Sequence, residues 1–125
     1  MSAAPVVIFL QGQGWEARYQ AVTVGITAAA FGDPVTVALF FDPLRRWAAG
    51  TFDEGAPPEA GPARVAPLAA TLQEARRDLG LRVVACDTAL RLAGLDPATA
   101  AAALDGVESL PALWKAGRAG RLLVF

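Results

Sequence analysis

The fold is decided by residues 6–41, which read VVIFLQGQGWEARYQAVTVGITAAAFGDPVTVALFF. The runs at 6–10 and 35–41 are apolar without alternation and rich in β-branched and aromatic residues, which is typical of strands buried on both faces. Between them, Trp15, Tyr19, Val22, Ile26 and Ala29 recur at helical spacing, and Gly32 follows as a stop signal. This stretch therefore predicts a strand, a helix over 14–31 and a second strand.

The rest of the chain repeats this alternation. Residues 51–65, TFDEGAPPEAGPARV, have no periodicity and are predicted to be the one long loop, acting as a lid or simply mobile. The other predicted elements are a short helix opened by Asp42-Pro43, a helix from Pro67 to Leu79, a strand over 81–85, short helices from Thr88 and from Pro97, a brief strand from Val107, a helix over 109–116 capped by Gly117, and a strand over 121–125. The alternation predicts an α/β fold with a largely parallel sheet and helices on both faces, in one domain spanning 1–125.

The scarcity of His and Cys excludes several kinds of catalytic and metal site. The chain has no His and one Cys, Cys86. It cannot form a Ser-His-Asp or Cys-His site, a zinc site with His ligands, or a metal site built from several Cys within one subunit. An internal disulfide is excluded as well. We therefore expect no bound metal and no cofactor.

The charge and hydropathy of the chain bear on whether it binds nucleic acid or a membrane. The net charge is −1, so no overall field favours nucleic acid or an anionic membrane. The longest apolar runs are far shorter than the roughly 18 residues that a membrane span requires. The segment MSAAPVVIFLQ lacks the basic start of a signal peptide and is interpreted as the first strand. A cytoplasmic protein that binds neither nucleic acid nor membrane is expected.

Three groups of candidate residues follow predicted strands. Ligands of open parallel sheets bind beyond the carboxyl ends of the strands. The candidates there are Gln11, Gly12, Gln13 and Gly14 after the first strand, Asp42 after the second, and Cys86 with Asp87 after the third. The Gln-Gly-Gln-Gly turn lacks the third Gly of a dinucleotide fingerprint and the Gly-Lys-Ser/Thr of a phosphate loop. It is interpreted either as a tight turn or as a contact for an anion or substrate.

Cys86 admits two interpretations. A free Cys is often an inert, buried, small apolar residue. At the junction of a strand and a helix, however, backbone N–H groups stabilise a thiolate. The carboxylate of Asp87 acts in the opposite direction unless it caps the helix. Position alone leaves reactive and structural roles open.

The stretch RVVACDTALRLAGLDPATAAAALDGV, residues 82–107, resembles the C-terminal signature of the DsrE/DsrF-like sulfur-relay family. The opening VVIFLQGQG, the segment AAAFGDPVTVALFFD and the terminal RLLVF are also similar to that family, so the resemblance covers most of the chain. It implies a single DsrE/DsrF-like domain, a three-layer α/β/α fold with a mainly parallel five-stranded sheet, and homo-oligomers built as trimers or hexamers. It also implies that Cys86 carries sulfur as a persulfide between donor and acceptor proteins.

Other classes remain alternatives. The chain departs from the family in its Pro-rich 51–65 loop and offers no second Cys as an acceptor. A catalytically silent assembly module of the same fold would keep Cys86 as a passive thiol, and a single-Cys redox protein would oxidise it to a sulfenic acid or an intersubunit disulfide. A nucleotide-binding module lacks its loop signatures. Trp47, Phe52 and Trp114 are assigned equally to the core or to an interface.

Overall fold

The computed structural model describes residues 3–125, and Met1 and Ser2 of the predicted domain and first segment lie outside this range. Its centre is a sheet of five strands, all parallel, in the order β4-β3-β2-β1-β5. The strands are β1 (Val6–Leu10), β2 (Val35–Leu39), β3 (Arg82–Cys86), β4 (Gly106–Glu108) and β5 (Arg121–Val124). The prediction of a mainly parallel five-stranded sheet is confirmed.

Helices cover both faces of this sheet. They are α1 (Trp15–Ala30), α2 (Phe41–Ala49), α3 (Leu68–Leu79), α4 (Asp87–Leu92), α5 (Pro97–Ala101) and α6 (Leu110–Arg118), with one 3-10 turn at Pro58–Ala60. Helices α1 and α3 pack together on the face that carries Ile8 and Val37, since both side chains lie against Gly25 of α1. Helix α6 covers the other face, where Leu122 lies against Gly117. The architecture is three-layer α/β/α.

Helix α1 begins and ends within one residue of its predicted bounds, but its buried face differs from the predicted one. The buried positions are Trp15, Arg18, Ala21, Val22, Gly25 and Ala29. Tyr19 and Ile26, which the pattern assigned to this face, are only half-buried. Because Gly25 has no side chain, Ile8 and Val37 reach the helix backbone, and the helix rotates toward that close contact.

Two predicted boundaries were wrong, and each has a local cause. The second strand ends at Leu39 instead of 41, because Phe40 caps α2 and Phe41 begins it with a φ of 46°. Gly117 does not end α6; it lies inside the helix and is buried. A Cβ at this position would come within 2.9 Å of a Leu122 methyl group, so the glycine permits close packing of α6 on β5.

The Pro-rich segment is anchored on both sides. The Arg18 side chain donates to the carbonyl oxygens of Phe52, at 2.8 Å from Nε, and of Glu54. The Asp53 carboxylate accepts from the N–H of Leu68 and, at 3.2 Å, from that of Ala69, so it caps α3. The loop therefore contributes the helix cap that the residues near Pro67 lack.

The sequence did not decide whether three aromatic residues lie in the core or on the surface. The structure places two in the core and one on the surface. Trp47 and Phe52 are buried and form an edge-to-face pair with centroids 5.2 Å apart. The Trp47 indole N–H donates to the carbonyl of Ala103 at 2.8 Å, which ties α2 to the segment after α5. Trp114 on α6 is 55% exposed.

The side chain of Asp105 links α3 to the start of β4 and to β3. Protonation of its carboxylate is predicted to lower the free energy of unfolding. Arg76 donates to both of its carboxylate oxygens, at 2.9 and 2.8 Å, and the Val83 N–H donates at 2.7 Å. Burial raises the pKa of this carboxyl, but the hydrogen bonds from Arg76 and Val83 outweigh burial and leave the pKa below its ordinary value.

Because that pKa is lowered on folding, the stabilisation from Asp105 is present above the unfolded-state pKa of about 3.9 and is lost as pH falls through the folded-state pKa. We expect the free energy of unfolding, measured by urea titration, to fall more steeply below about pH 4 in the native sequence than in Asp105→Asn. Equal acid slopes for the two proteins would contradict this assignment.

Candidate functional site

Cys86 is the last residue of β3 and the residue before α4. It lies where the sequence predicted it, at the carboxyl end of a central strand of the sheet. Its side chain is 4% exposed and makes no capping hydrogen bond to α4. The thiol is therefore buried at the strand-to-helix junction, and any reaction with a macromolecule requires local opening or rearrangement around it.

The two strands beside β3 determine the lateral neighbours of Cys86. In the parallel pairing of β3 and β4, Cys86 lies opposite Glu108, so both side chains leave the same face of the sheet. On the other side, Leu39 pairs with Ala85, which brings Phe40 level with Cys86. Phe40 is buried and packs on Phe9 with centroids 5.1 Å apart. Cys86 thus lies level with Phe40 on one side and with Glu108 on the other.

Glu108 was missed by sequence reasoning. Its carboxylate is 3.5 Å from the Arg82 guanidinium, which belongs to the same strand as Cys86. This ion pair is partly exposed and draws the Glu108 charge toward Arg82. Only the pairing register reveals Glu108, because β4 has three residues and no apolar run that a sequence pattern detects.

Asp87 is the nearest carboxylate to Cys86 along the chain. One of its oxygens accepts from the N–H of Thr88 at 2.7 Å and lies 3.4 Å from the Thr88 hydroxyl. Its carboxylate is thus engaged at the first turn of α4. Asp87 is the first residue of α4 and does not cap the helix, because Cys86 holds the N-cap position, so the capping role considered for Asp87 is not formed.

The Gln-Gly-Gln-Gly turn lies two strands away from Cys86, because β2 separates β1 from β3. At about 4.8 Å per strand, the lateral separation of the strands is roughly 10 Å. The N–H groups of Gln11 and Gly12 both donate to the carbonyl oxygen of Phe125, at 2.9 and 3.0 Å. A Cβ on Gly12 would come within 2.8 Å of the Ala17 Cβ, and Gly14 has a φ of 99°. Gly12 and Gly14 thus each have a conformational or packing role in this turn.

Asp42 is engaged by two guanidinium groups. In the first turn of α2, its Oδ2 accepts from Arg46 Nε at 2.9 Å and lies 3.7 Å from Arg18 Nη1. The structure therefore brings Asp42 to the same edge of the sheet as Cys86, but its carboxylate faces Arg18 and Arg46 from α1 and α2.

Arg18 is the second residue that sequence reasoning missed. Its side chain is 1% exposed, and Nη1 has no hydrogen-bond partner apart from the ionic contact with Asp42. Burial lowers the pKa of this guanidinium, as does the charge of Arg46, while Asp42 and Asp53 oppose the shift. The available signal was the spacing of Trp15, Arg18, Val22 and Gly25, which places an Arg on the buried helix face.

The chemistry available at this edge is that of one thiol among carboxylates and guanidiniums. Within residues 3–125, no group of three or more His, Cys, Asp or Glu side chains is arranged to hold a metal ion. No helix in the same range is both long and apolar enough to cross a membrane. At this edge Cys86 supplies a thiol, whose thiolate form is a strong nucleophile.

Comparison of the folded chain with solved structures gives a match. The chain shares the fold of the ychN protein from E. coli. The crystal structure of that protein matches with a TM-score of 0.65, at 16% sequence identity, over 98% of this chain and 99% of the other. The match shows that the two chains share one fold over nearly their whole length. No family model and no curated protein matches the sequence.

Proposed function

We propose that this protein carries sulfur as a persulfide on Cys86 and passes it from a donor protein to an acceptor protein, as part of a DsrE/DsrF-like relay. The observation that carries the proposal is the position of Cys86, the single Cys of the chain, at the carboxyl end of β3 at its junction with α4. Parallel α/β sheets place their reactive groups at this edge. The proposal includes a homo-oligomeric assembly, a trimer or a hexamer.

The transfer is a thiol exchange without net oxidation. The Cys86 thiolate attacks the terminal sulfur of a donor persulfide, a new sulfur–sulfur bond forms on Cys86, and the old sulfur–sulfur bond breaks. The donor leaves as a thiolate, which takes up the proton lost by Cys86. An acceptor thiol then attacks the terminal sulfur on Cys86 in the same way. Neither a metal nor a redox cofactor enters this balance.

Access to Cys86 is restricted in the folded protein. The thiol is 4% exposed, so a small polysulfide ion needs a local opening, and a donor protein must displace part of the cover before attack is possible. With no His in the chain, deprotonation depends on the helix start, on nearby Arg side chains or on the partner. A persulfide on the buried Cys86 would be shielded from premature release.

A second candidate function is favoured by the same burial. A thiol that is 4% exposed is also what a silent assembly module of this fold would carry, with Cys86 acting as a small apolar core residue. The two functions differ in whether the folded protein takes up sulfur. They are separated by comparing native protein with protein unfolded in urea.

The test uses reduced protein, inorganic polysulfide as the sulfur donor and intact mass as the readout. We expect the native protein to gain the mass of one sulfur atom, at Cys86, and Cys86→Ser to gain none. An equal adduct in Cys86→Ser would overturn the proposal. Uptake by the unfolded protein alone would also overturn it and support the assembly module. Parallel peroxide treatment, with electrophoresis without reductant, tests the redox alternative through an intersubunit disulfide.

A further inference from the structure

Phe41 has a backbone conformation that residues other than glycine rarely adopt. Its φ is 46°, in the left-handed region, where the Cβ of an L-residue comes too close to the following carbonyl oxygen. Within residues 3–125, the other non-glycine residue in this region is Arg64, at 59°. Arg64 lies in the Pro-rich loop, whereas Phe41 begins α2, at the edge of the sheet that carries Cys86. Strained residues of this kind cluster at functional sites and in segments that switch conformation.

The turn at Phe41 keeps the preceding side chain, that of Phe40, inside the fold. Phe40 continues the pairing of β2 with β1, because its N–H donates to the carbonyl oxygen of Leu10 at 2.9 Å. Its φ of −127° and ψ of 151° are still extended, so the chain turns into the helix only at Phe41. The Phe40 ring is therefore buried, while the Phe41 ring, with its centroid 5.9 Å away, is 41% exposed.

Phe40 is the neighbour of Cys86 on the adjacent strand. Leu39 pairs with Ala85, so the next residues along the two strands, Phe40 and Cys86, leave the sheet on the same face. Adjacent strands are about 4.8 Å apart, which makes the two side chains lateral neighbours. Phe40 is 8% exposed and Cys86 is 4% exposed. Movement of Phe40 away from the sheet therefore uncovers the face on one side of the thiol.

Contacts on both sides hold Phe41 in its strained conformation. Before it, the carbonyl oxygen of Phe40 accepts from the N–H of Leu44 at 3.3 Å. After it, the carboxylate of Asp42 accepts from Arg46 Nε at 2.9 Å. The side chains of Asp42 and Arg46 are 27% and 32% exposed, so this ion pair is within reach of a molecule that binds at the surface.

From these observations we infer that Phe41 is the hinge of a gate that controls access to Cys86. In the closed state Phe41 is held at positive φ and Phe40 is buried beside the thiol. In the open state Phe41 relaxes to an ordinary negative φ, which withdraws Phe40 and exposes Cys86. The strain in the closed state lowers the free energy of opening, so the gate opens without global unfolding. Its role in regulating sulfur transfer rests on the proposed function.

The rate at which iodoacetamide alkylates Cys86 at neutral pH, followed by intact mass, measures opening of the gate. Glycine adopts a positive φ without strain, so Phe41→Gly is expected to stabilise the closed state and to lower this rate about fivefold. Phe41→Ala removes the same ring but keeps the strain, and should be alkylated at least as fast as the native protein. Phe41→Val places a β-branched residue at this φ and should be alkylated faster than the native protein.

Arg64→Gly is the matched control, because it relieves the same kind of strain in the Pro-rich loop, at an exposed side chain that forms no ion pair in residues 3–125. It should raise the melting temperature, as Phe41→Gly should, but leave the alkylation rate unchanged.

Three outcomes would overturn the gate: native alkylation of Phe41→Gly, equal slowing by both glycine variants, or reaction of the native protein only in urea that unfolds it. The last two mean that Cys86 reacts through global unfolding. Alkylation involves no sulfur transfer, so failure of the gate leaves the sulfur uptake of Cys86 to be decided by its own test, and the reverse also holds.

Discussion

Replacement of Arg18 by Ala is expected to lower the free energy of unfolding by about 3–5 kcal/mol, because it removes a large buried side chain and leaves the loop carbonyls without their donor. The guanidinium binds the carbonyls of Phe52 and Glu54 and faces the Asp42 carboxylate. Its loss removes two anchors of the Pro-rich loop and opens a cavity beneath Phe52, which is 1% exposed.

The measurement is urea denaturation followed by Trp fluorescence, since Trp15 and Trp47 are buried near this network. The matched control is Arg77→Ala, which removes an exposed ion pair with Asp78 and should cost less than about 1 kcal/mol. A similar small loss for both variants would contradict the anchoring role of Arg18. Arg18→Lys keeps the positive charge but not the several N–H donors of the guanidinium, so most of the loss in the free energy of unfolding should remain.

The second large effect is expected from Gly120→Ala. A Cβ at Gly120 would overlap the backbone carbonyl oxygen of Pro5, the same oxygen that accepts from the N–H of Arg121 at 2.9 Å. The Pro5 oxygen is a backbone atom and the position of a Cβ is fixed by the backbone, so no side-chain rotation relieves the overlap. We expect the start of β5 to separate from β1, with a loss of about 2–4 kcal/mol in the free energy of unfolding.

Gly61→Ala is the control for this substitution. Gly61 has a φ of −62°, and a Cβ there would meet no atom within 4 Å. The change should be neutral or stabilising by up to about 1 kcal/mol, through the unfolded state. Thermal melting of the two variants compares them directly. If the Gly120→Ala protein melted at the same temperature as the Gly61→Ala protein, β5 would be shown to tolerate displacement from Pro5.

Sequence patterns predicted the strands of this fold better than its contacts. Continuous apolar runs identified β1, β2 and β3, because strands buried on both faces need apolar side chains at every position. The same patterns misplaced the end of β2 at Phe41 and the role of Gly117. Those two features depend on a strained backbone and on a methyl group of Leu122, which are tertiary and leave no local signal.

At the candidate site, too, the sequence predicted the strand end but not the tertiary contacts. The position of Cys86 at a strand end followed from the sequence alone, because a strand followed by a helix places its last residue at the sheet edge. Glu108 did not follow, since its pairing with Cys86 depends on the register of a three-residue strand. Arg18 was hidden for a different reason: its charge predicts an outward-facing side chain, although the helical spacing places position 18 on the buried face, where loop carbonyls and Asp42 stabilise the guanidinium.

The strand order has a consequence for synthesis on the ribosome. Strand β1 emerges first, yet one of its two neighbours, β5, is encoded more than a hundred residues later. Until residues 121–124 are made, the Val6–Phe9 edge stays open while β2 and β3 already pair on the other side. An unpaired apolar edge is a template for association with other nascent chains. Completion of this sheet is therefore a late event, and the free edge of β1 stays open to association for as long as the residues between β1 and β5 are being made.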